Sequence, residues 1–194
     1  MGEADEELML SYRAGDAAAF DQLYRRHKGG LFRFVLRSIR ERSLAEELYQ
    51  EIWMRVIEAR ERYEPPAPGA GRPAKFTTWL YTIAHNRMVD HWRKRGLSVV
   101  SLDAQGDDDE RAPLQPAAGP GGDPLRRLEG RRDLERFARA LEALPPAQRE
   151  AFLLHEEAGL TVAEIARATG AGEEAAKSRL RYALAKLREA VGDG

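Results

Sequence analysis

The sequence predicts an all-α protein: two small helical domains joined by a flexible linker, the C-terminal one a helix-turn-helix. Three observations lead there. Apolar residues recur at steps of three, four and seven through most of the chain, the period of helices with one buried face. No segment alternates apolar and polar residues as a half-buried strand does. Residues 103–124 are rich in Gly, Pro, Asp and Ala, carry the run Asp107-Asp108-Asp109-Glu110, and have no periodicity, so they separate two folded halves.

The elements follow in order. Between 17 and 39, Phe20, Leu23, Tyr24, Leu31, Phe34 and Val35 share one helical face. Leu44, Leu48, Ile52 and Val56 make a second stripe with Tyr49, Trp53 and Ile57 beside it, and Ser43 with Glu46 predicts a capping box at its start. The run Pro65-Pro66-Ala67-Pro68-Gly69-Ala70-Gly71-Arg72-Pro73 cannot continue a helix, because proline lacks the amide hydrogen and its ring clashes with the preceding turn. A third helix is predicted from about 76 to near Gly96, with Phe76, Trp79, Leu80, Ile83 and Trp92 as its larger apolar members. Beyond the linker, Leu134, Phe137, Leu141 and Leu144 form a stripe closed by Pro145-Pro146, and another helix covers roughly 147–157. Thr161-Val162-Ala163-Glu164 reads as a capping box opening a short helix that stops at Gly170, and a last helix runs from about 173 to 190. The expected organisation is a first domain at 1–96, a linker at 97–132 and a second domain at 133–194.

Composition narrows the chemistry. The 194 residues include no cysteine, which removes disulfides, iron–sulfur clusters, thiolate zinc sites and cysteine nucleophiles together. The four histidines, at 27, 85, 91 and 155, lack metal-motif spacing. His85 and His91, six apart, point about 240° away from one another on a helix. No cofactor, metal or small-molecule substrate is expected. A hydrolase holding Mg²⁺ on Asp107, Asp108 and Asp109 is disfavoured, because a Gly/Pro-rich tether cannot hold ligands to catalytic geometry. No apolar run approaches the ~18 residues of a membrane span, and the N-terminus is acidic where a secretory signal is basic, so a cytoplasmic location is expected.

The net charge of −1 hides a pattern. Residues 64–95 carry six basic and two acidic side chains, and Lys177 to Arg188 holds five cations with no acid. Two basic patches in an otherwise neutral or acidic chain suggest two contacts with a polyanion. The second patch lies on the last helix, after a capped helix and the turn Gly170-Ala171-Gly172, which together describe a helix-turn-helix. With Ile165, Ala166, Leu180, Leu184 and Leu187 turned inward, Lys177, Ser178, Arg179, Arg181 and Tyr182 are left around the free part of that helix. Arg and Lys donate to guanine edges and phosphates, and Ser and Tyr to either.

Residues Leu144-Pro145-Pro146-Ala147-Gln148-Arg149-Glu150, Gly159-Leu160-Thr161, Glu164-Ile165-Ala166 and Ala176-Lys177-Ser178-Arg179-Leu180 resemble region 4 of bacterial sigma-70 family sigma factors, in the extracytoplasmic-function (ECF) group. The resemblance implies that this helix reads the promoter's −35 element and that the domain meets the flap of the second-largest subunit of core RNA polymerase. Glu173, Glu174, Ala175 and Ala176 stand where relatives commonly carry a small or hydroxyl residue and Thr-Val, and acids there repel phosphates. The segment from Ala45 to Arg55 resembles region 2.2, which implies docking of Glu47, Gln50, Glu51 and Met54 on the clamp coiled coil of the largest polymerase subunit.

The stretches Lys75–Tyr81 and His85–Arg95 resemble regions 2.3 and 2.4. Opening a duplex requires rings that accept unstacked bases and cations that hold the backbone, and stacking on an aromatic contributes about 1–3 kcal/mol per base. Phe76, Trp79, Tyr81 and Trp92 would supply rings, and Arg87, Arg93, Lys94 and Arg95 charge, at the −10 element. Phe76 and Trp79 also sit at core-like spacing. Arg72 and Asn86 are the candidates to touch a flipped −10 base. Thr82 and Ile83 occupy the positions where housekeeping members carry two tryptophans. The implied function is a non-enzymatic promoter-specificity subunit, with core RNA polymerase, promoter DNA and an anti-sigma factor as partners. The alternative is a stand-alone helix-turn-helix regulator that binds duplex DNA without polymerase.

Overall fold

The computed structural model describes residues 3–65, 75–94 and 131–192. The Pro/Gly loop with Arg72, the residue Arg95 and almost all of the expected linker lie outside the described residues. The described residues form eight α-helices and one 3₁₀ turn: α1 (Asp5–Arg13), α2 (Ala17–Ile39), α3 (Arg42–Glu58), the turn Arg60–Arg62, α4 (Phe76–Lys94), α5 (Arg131–Ala143), α6 (Pro146–Ala158), α7 (Val162–Thr169) and α8 (Glu173–Gly192). Helices α1 to α4 make one unit and α5 to α8 the other.

Helix α2 buries Leu23, Leu31, Phe34 and Val35, and α3 buries Leu48, Ile52, Val56 and Trp53, so both predicted stripes face the core. Asp16 caps α2 by accepting from the Ala18 amide at 2.9 Å. Arg40 closes α2 in the left-handed conformation, φ 67°, which turns the chain directly into α3. That reversal moves the start of α3. The capping box expected at Ser43 is absent; the helix begins at Arg42, after an extended Glu41, and Glu46 binds Arg42 at 2.9 Å instead.

Helix α1 was not legible as a stripe, yet it buries Leu8 and Met9 completely and Tyr12 nearly so. It also holds the start of α4. The Phe76 amide donates to Glu6 Oε1 at 2.9 Å, so a carboxylate from a distant helix satisfies an orphan amide at a positive helix end. Asp5 accepts from His27 Nε2 at 2.6 Å and from Arg26 at 2.7 Å. The His27 bond draws the Asp5 carboxyl below its ordinary range, burial opposes, and Arg26 adds to the lowering.

In the second unit Phe137, Leu141 and Leu144 are buried as predicted, but Leu134 is 56% exposed. The described α5 packs chiefly on α8. Thr161 and Glu164 form the expected capping box, with Thr161 N–H to Glu164 Oε2 at 2.8 Å. Gly170 ends α7 at φ 69°, a conformation a Cβ would strain. Helix α8 turns Ala176, Leu180, Ala183 and Leu187 inward.

The two units pack on each other, α4 against α7 and α2 against α6. Gly30 explains how α2 and α6 come so close. A glycine inside a helix costs about 1 kcal/mol relative to alanine. Here a Cβ at position 30 would lie 2.8 Å from the Glu157 carbonyl oxygen and 3.2 Å from the Tyr81 hydroxyl. Only a residue without a side chain lets the end of α6 pass.

Candidate nucleic-acid interface

The expected −35 residues lie in the first half of α8, just after the turn. Ala176 and Leu180 anchor the inner face, which turns Lys177 and Arg181 to solvent and leaves Ser178, Arg179 and Tyr182 half-buried. The Arg181 guanidinium lies 5.0 Å from the centre of the Tyr182 ring, a cation–π contact that aligns it along the helix. Lys177 Nζ is 3.7 Å from Glu174 Oε1, with both side chains largely exposed. The acidic first turn therefore meets the nearest cation of the patch.

Helix α4 divides its expected residues into two sets. Asn86, Arg93 and Lys94 are exposed, and Trp79 is half-buried with its ring edge-on to Tyr63 at 5.2 Å. Phe76 is 0% and Tyr81 1% exposed. This corrects the expectation that these two rings are offered to bases: Phe76 packs on His27, Tyr63 and Trp79, and Tyr81 on Phe34, so neither has a free face. Burial pushes the Tyr81 phenol well above its ordinary range, and the Glu157 charge adds to this. Arg87 is also withdrawn. Its side chain is 15% exposed and forms an ion pair with Glu51 on α3.

On α3, Glu47, Gln50 and Met54 lie exposed on one side, with Met54 55% exposed, while Leu48, Ile52 and Val56 fill the other. Glu51 stands at the edge of that exposed strip, turned toward Arg87. A polar strip with one apolar member suits a protein partner better than a polyanion.

The packing of the two units brings the two expected sets together. His85, Asn86, Trp92 and Arg93 of α4 and Arg179 of α8 line one cavity of about 520 Å³, with Pro146 and Glu150 of α6 completing its wall. Ion pairs cross the boundary between units, Arg33 and Arg37 to Glu157 at 2.7 and 2.9 Å and Lys75 to Glu164 at 3.2 Å, and a hydrogen bond joins His85 Nδ1 and Glu150 at 2.7 Å. Arg40 also donates to the Glu142 carbonyl. Burial pushes the Glu164 carboxyl up, but hydrogen bonds from the Thr161 amide and hydroxyl and the nearby Lys75 ammonium outweigh it and hold the group below its ordinary range. None of these pairings is legible in the sequence. The one signal there is Gly29-Gly30 in the middle of a strong helical stripe.

Comparison with known proteins matches the geometry to a family. Residues 23–97 match Sigma-70 region 2, and residues 134–187 match Sigma-70, region 4. The chain is 33% identical to the RNA polymerase sigma factor CarQ of Myxococcus xanthus, over 95% of this chain and 96% of that protein. It is 30% identical to the ECF RNA polymerase sigma factor SigK of Mycobacterium tuberculosis, over 97% and 94%. The structure superposes on CnrH, solved in complex with the cytosolic domain of CnrY, with a TM-score of 0.64 at 25% identity, covering 99% of this chain and all of that one. RpoE of Bartonella quintana, solved with the anti-sigma factor NepR, gives 0.62 at 25% identity over 90% and 97%. A stand-alone regulator would account for the second of the two family matches and not the first. The chain belongs to the sigma-70 family as an ECF sigma factor, a non-enzymatic subunit that directs promoter-specific transcription initiation by RNA polymerase.

Proposed function

We propose that the two units divide the work of initiation along the surfaces described. The first domain, 1–96, binds the clamp coiled coil of the largest polymerase subunit through Glu47, Gln50 and Met54, with Glu51 shared between that surface and the ion pair to Arg87. The same domain meets the −10 element through Asn86, Arg93, Lys94 and the half-buried Trp79. Arg72 and Arg95 join this set from the family resemblance alone. The second domain, 133–194, contacts the polymerase flap and reads −35 with Lys177, Ser178, Arg179, Arg181 and Tyr182, and residues 97–132 connect the two. The observation that carries this reading is the segregation on α8: an inward face of Ala176, Leu180, Ala183 and Leu187 and an outward N-terminal half bearing Lys177 and Arg181. Acting on promoter DNA, the protein works in the cytoplasm.

An anti-sigma factor is the expected negative partner. The structural neighbour RpoE was solved with the anti-sigma factor NepR bound, and CnrH with the cytosolic domain of CnrY. Here the exposed large hydrophobics Met54 and Leu134 lie one on each unit, so a partner that spans both would cover them together. Among the described residues no helix is long and apolar enough to cross a membrane.

The test is run-off transcription with core polymerase, with and without this chain, over promoter fragments from its own genome. Transcripts that require the chain and share two spaced elements give its recognition sequence. Loss of transcription in Lys177→Ala with core binding intact supports the assignment of α8, and loss of core binding instead overturns it.

A further inference from the structure

We propose that Arg33 and Arg37 on α2 form a further nucleic-acid contact, a two-arginine clamp that grips a phosphate of the promoter strand beside the −10 element. The proposal rests on the reading of the first unit at −10 given above. It adds residues that neither the −10 set nor the polymerase-facing strip of α3 contains.

Charge points to the place. Residues 1–63 carry 11 basic and 12 acidic side chains, so the region averages to near neutrality. The acids of that region lie before Gln22 and after Arg40. Between those two residues stand six arginines and lysines and no acid, one more cation than from Lys177 to Arg188. A run of one sign on a single helix is the electrostatic footprint of a polyanion partner.

Geometry arranges the run. Arg26, Arg33 and Arg37 are spaced by seven and four residues, so they share one face of α2. Gly29 and Gly30 fill the turn between Arg26 and Arg33 and leave it without side chains. A Cβ at position 30 would lie 3.2 Å from the Tyr81 hydroxyl, so the stripe runs beside α4, the helix proposed for −10. Arg26 and Arg40 flank the stripe and are held by Asp5 and by the Glu142 carbonyl. The middle pair is therefore the part assigned to DNA.

That pair already grips an oxyanion. Arg33 Nε donates to Glu157 Oε2 at 2.7 Å, and Arg37 Nη1 donates to Glu157 Oε1 at 2.9 Å. Two guanidiniums one turn apart thus take the two oxygens of one carboxylate. A phosphodiester offers two non-bridging oxygens and one negative charge, which suits arginine's planar fork equally. Glu157 is the intramolecular occupant of the clamp, and phosphate is the alternative one. With Glu157 bound, Arg33 and Arg37 remain 55% and 41% exposed, so a second anion has access to them.

The assay is fluorescence anisotropy of the full chain with core polymerase on a promoter fragment found by run-off transcription, opened by mismatches across −10. Arg33→Ala with Arg37→Ala should weaken binding about 10- to 100-fold. It should also lower the slope of log affinity against log salt by about 0.7, the value of one phosphate on a single strand. Arg33→Lys with Arg37→Lys keeps both charges and should recover the slope, which separates a lost contact from a folding defect. Glu157→Gln, which takes the anion from the clamp, should bind as tightly as the parent or more tightly. Arginines that serve only to hold Glu157 would instead give the alanine and glutamine variants the same change. A neutral methylphosphonate, moved one position at a time along the opened strand, locates the phosphate. At one position it should weaken the parent and leave the double alanine variant unaffected. The proposal is overturned if the double alanine variant binds DNA like the parent, if it loses core polymerase in place of DNA, or if it changes in the same direction as Glu157→Gln. A parent complex that fails to retain promoter DNA overturns the −10 reading itself and this proposal with it.

Discussion

The contact between Arg87 and Glu51 joins a residue expected at −10 DNA to one expected at the polymerase clamp, and its energy decides which role either can play. Replacing Glu51 by Gln removes the charge while keeping the shape. An exposed ion pair contributes about 0–1 kcal/mol, and breaking a buried one costs about 3–5 kcal/mol. With Arg87 15% and Glu51 39% exposed, solvent screens part of the interaction, and a coupling of about 1–2 kcal/mol is expected. Urea unfolding of the parent chain, Glu51→Gln, Arg87→Met and the double variant gives that coupling directly. At a mid-range slope of about 2 kcal/mol per molar urea, the Glu51→Gln midpoint should fall by about 0.5–1 M. Glu47→Ala with Gln50→Ala, both fully on the exposed strip, should leave the midpoint unchanged and weaken binding to core polymerase in a fluorescence anisotropy titration. A coupling near zero, with Glu51→Gln as stable as the parent, would refute this reasoning and return Arg87 to the set free to meet DNA.

Other outcomes follow from the same structure. Lys177→Ala should weaken binding of the polymerase complex to −35 DNA and lower the slope of log affinity against log salt by about 0.9, whereas Glu174→Gln, which releases Lys177, should strengthen it; anisotropy between roughly 50 and roughly 200 mM salt checks both. Gly170→Ala meets open space around its Cβ, so its cost is purely conformational at φ 69°, about 1–2 kcal/mol, visible as a lower thermal midpoint; an unchanged midpoint would show that the turn relaxes freely. Asp5 and Glu164 are both held below their ordinary range, so each binds fewer protons folded than unfolded. Their stabilisation should be complete above about pH 5 and fade as pH falls through the depressed values, with Glu164→Gln flattening part of that decline in acid-unfolding curves.

Much of the molecule was written in local sequence. Leu48, Ile52 and Val56 share a face because a helix returns every 3.6 residues, and water drives that face inward whatever the neighbours are. Thr161 and Glu164 cap α7 with atoms three residues apart, and Gly170 stops it through its own φ. The cationic half of α8 was legible for the same reason: its inner face is marked by leucines and alanines, so its outer face is known by subtraction. What the sequence could not decide depends on groups far apart along the chain. Phe76 and Tyr81 have the ring chemistry to stack on bases, and only the packing of His27, Tyr63 and Phe34 around them removes their faces. Glu6 caps α4 from 70 residues away, and Glu157 gathers Arg33 and Arg37 from more than 100. Such pairings carry no periodicity, because an ion pair or a cap needs proximity in space and nothing in between. Gly30 lies on the border of the two cases: its misfit within a helix is visible in the sequence, and the backbone that requires it appears only in the fold.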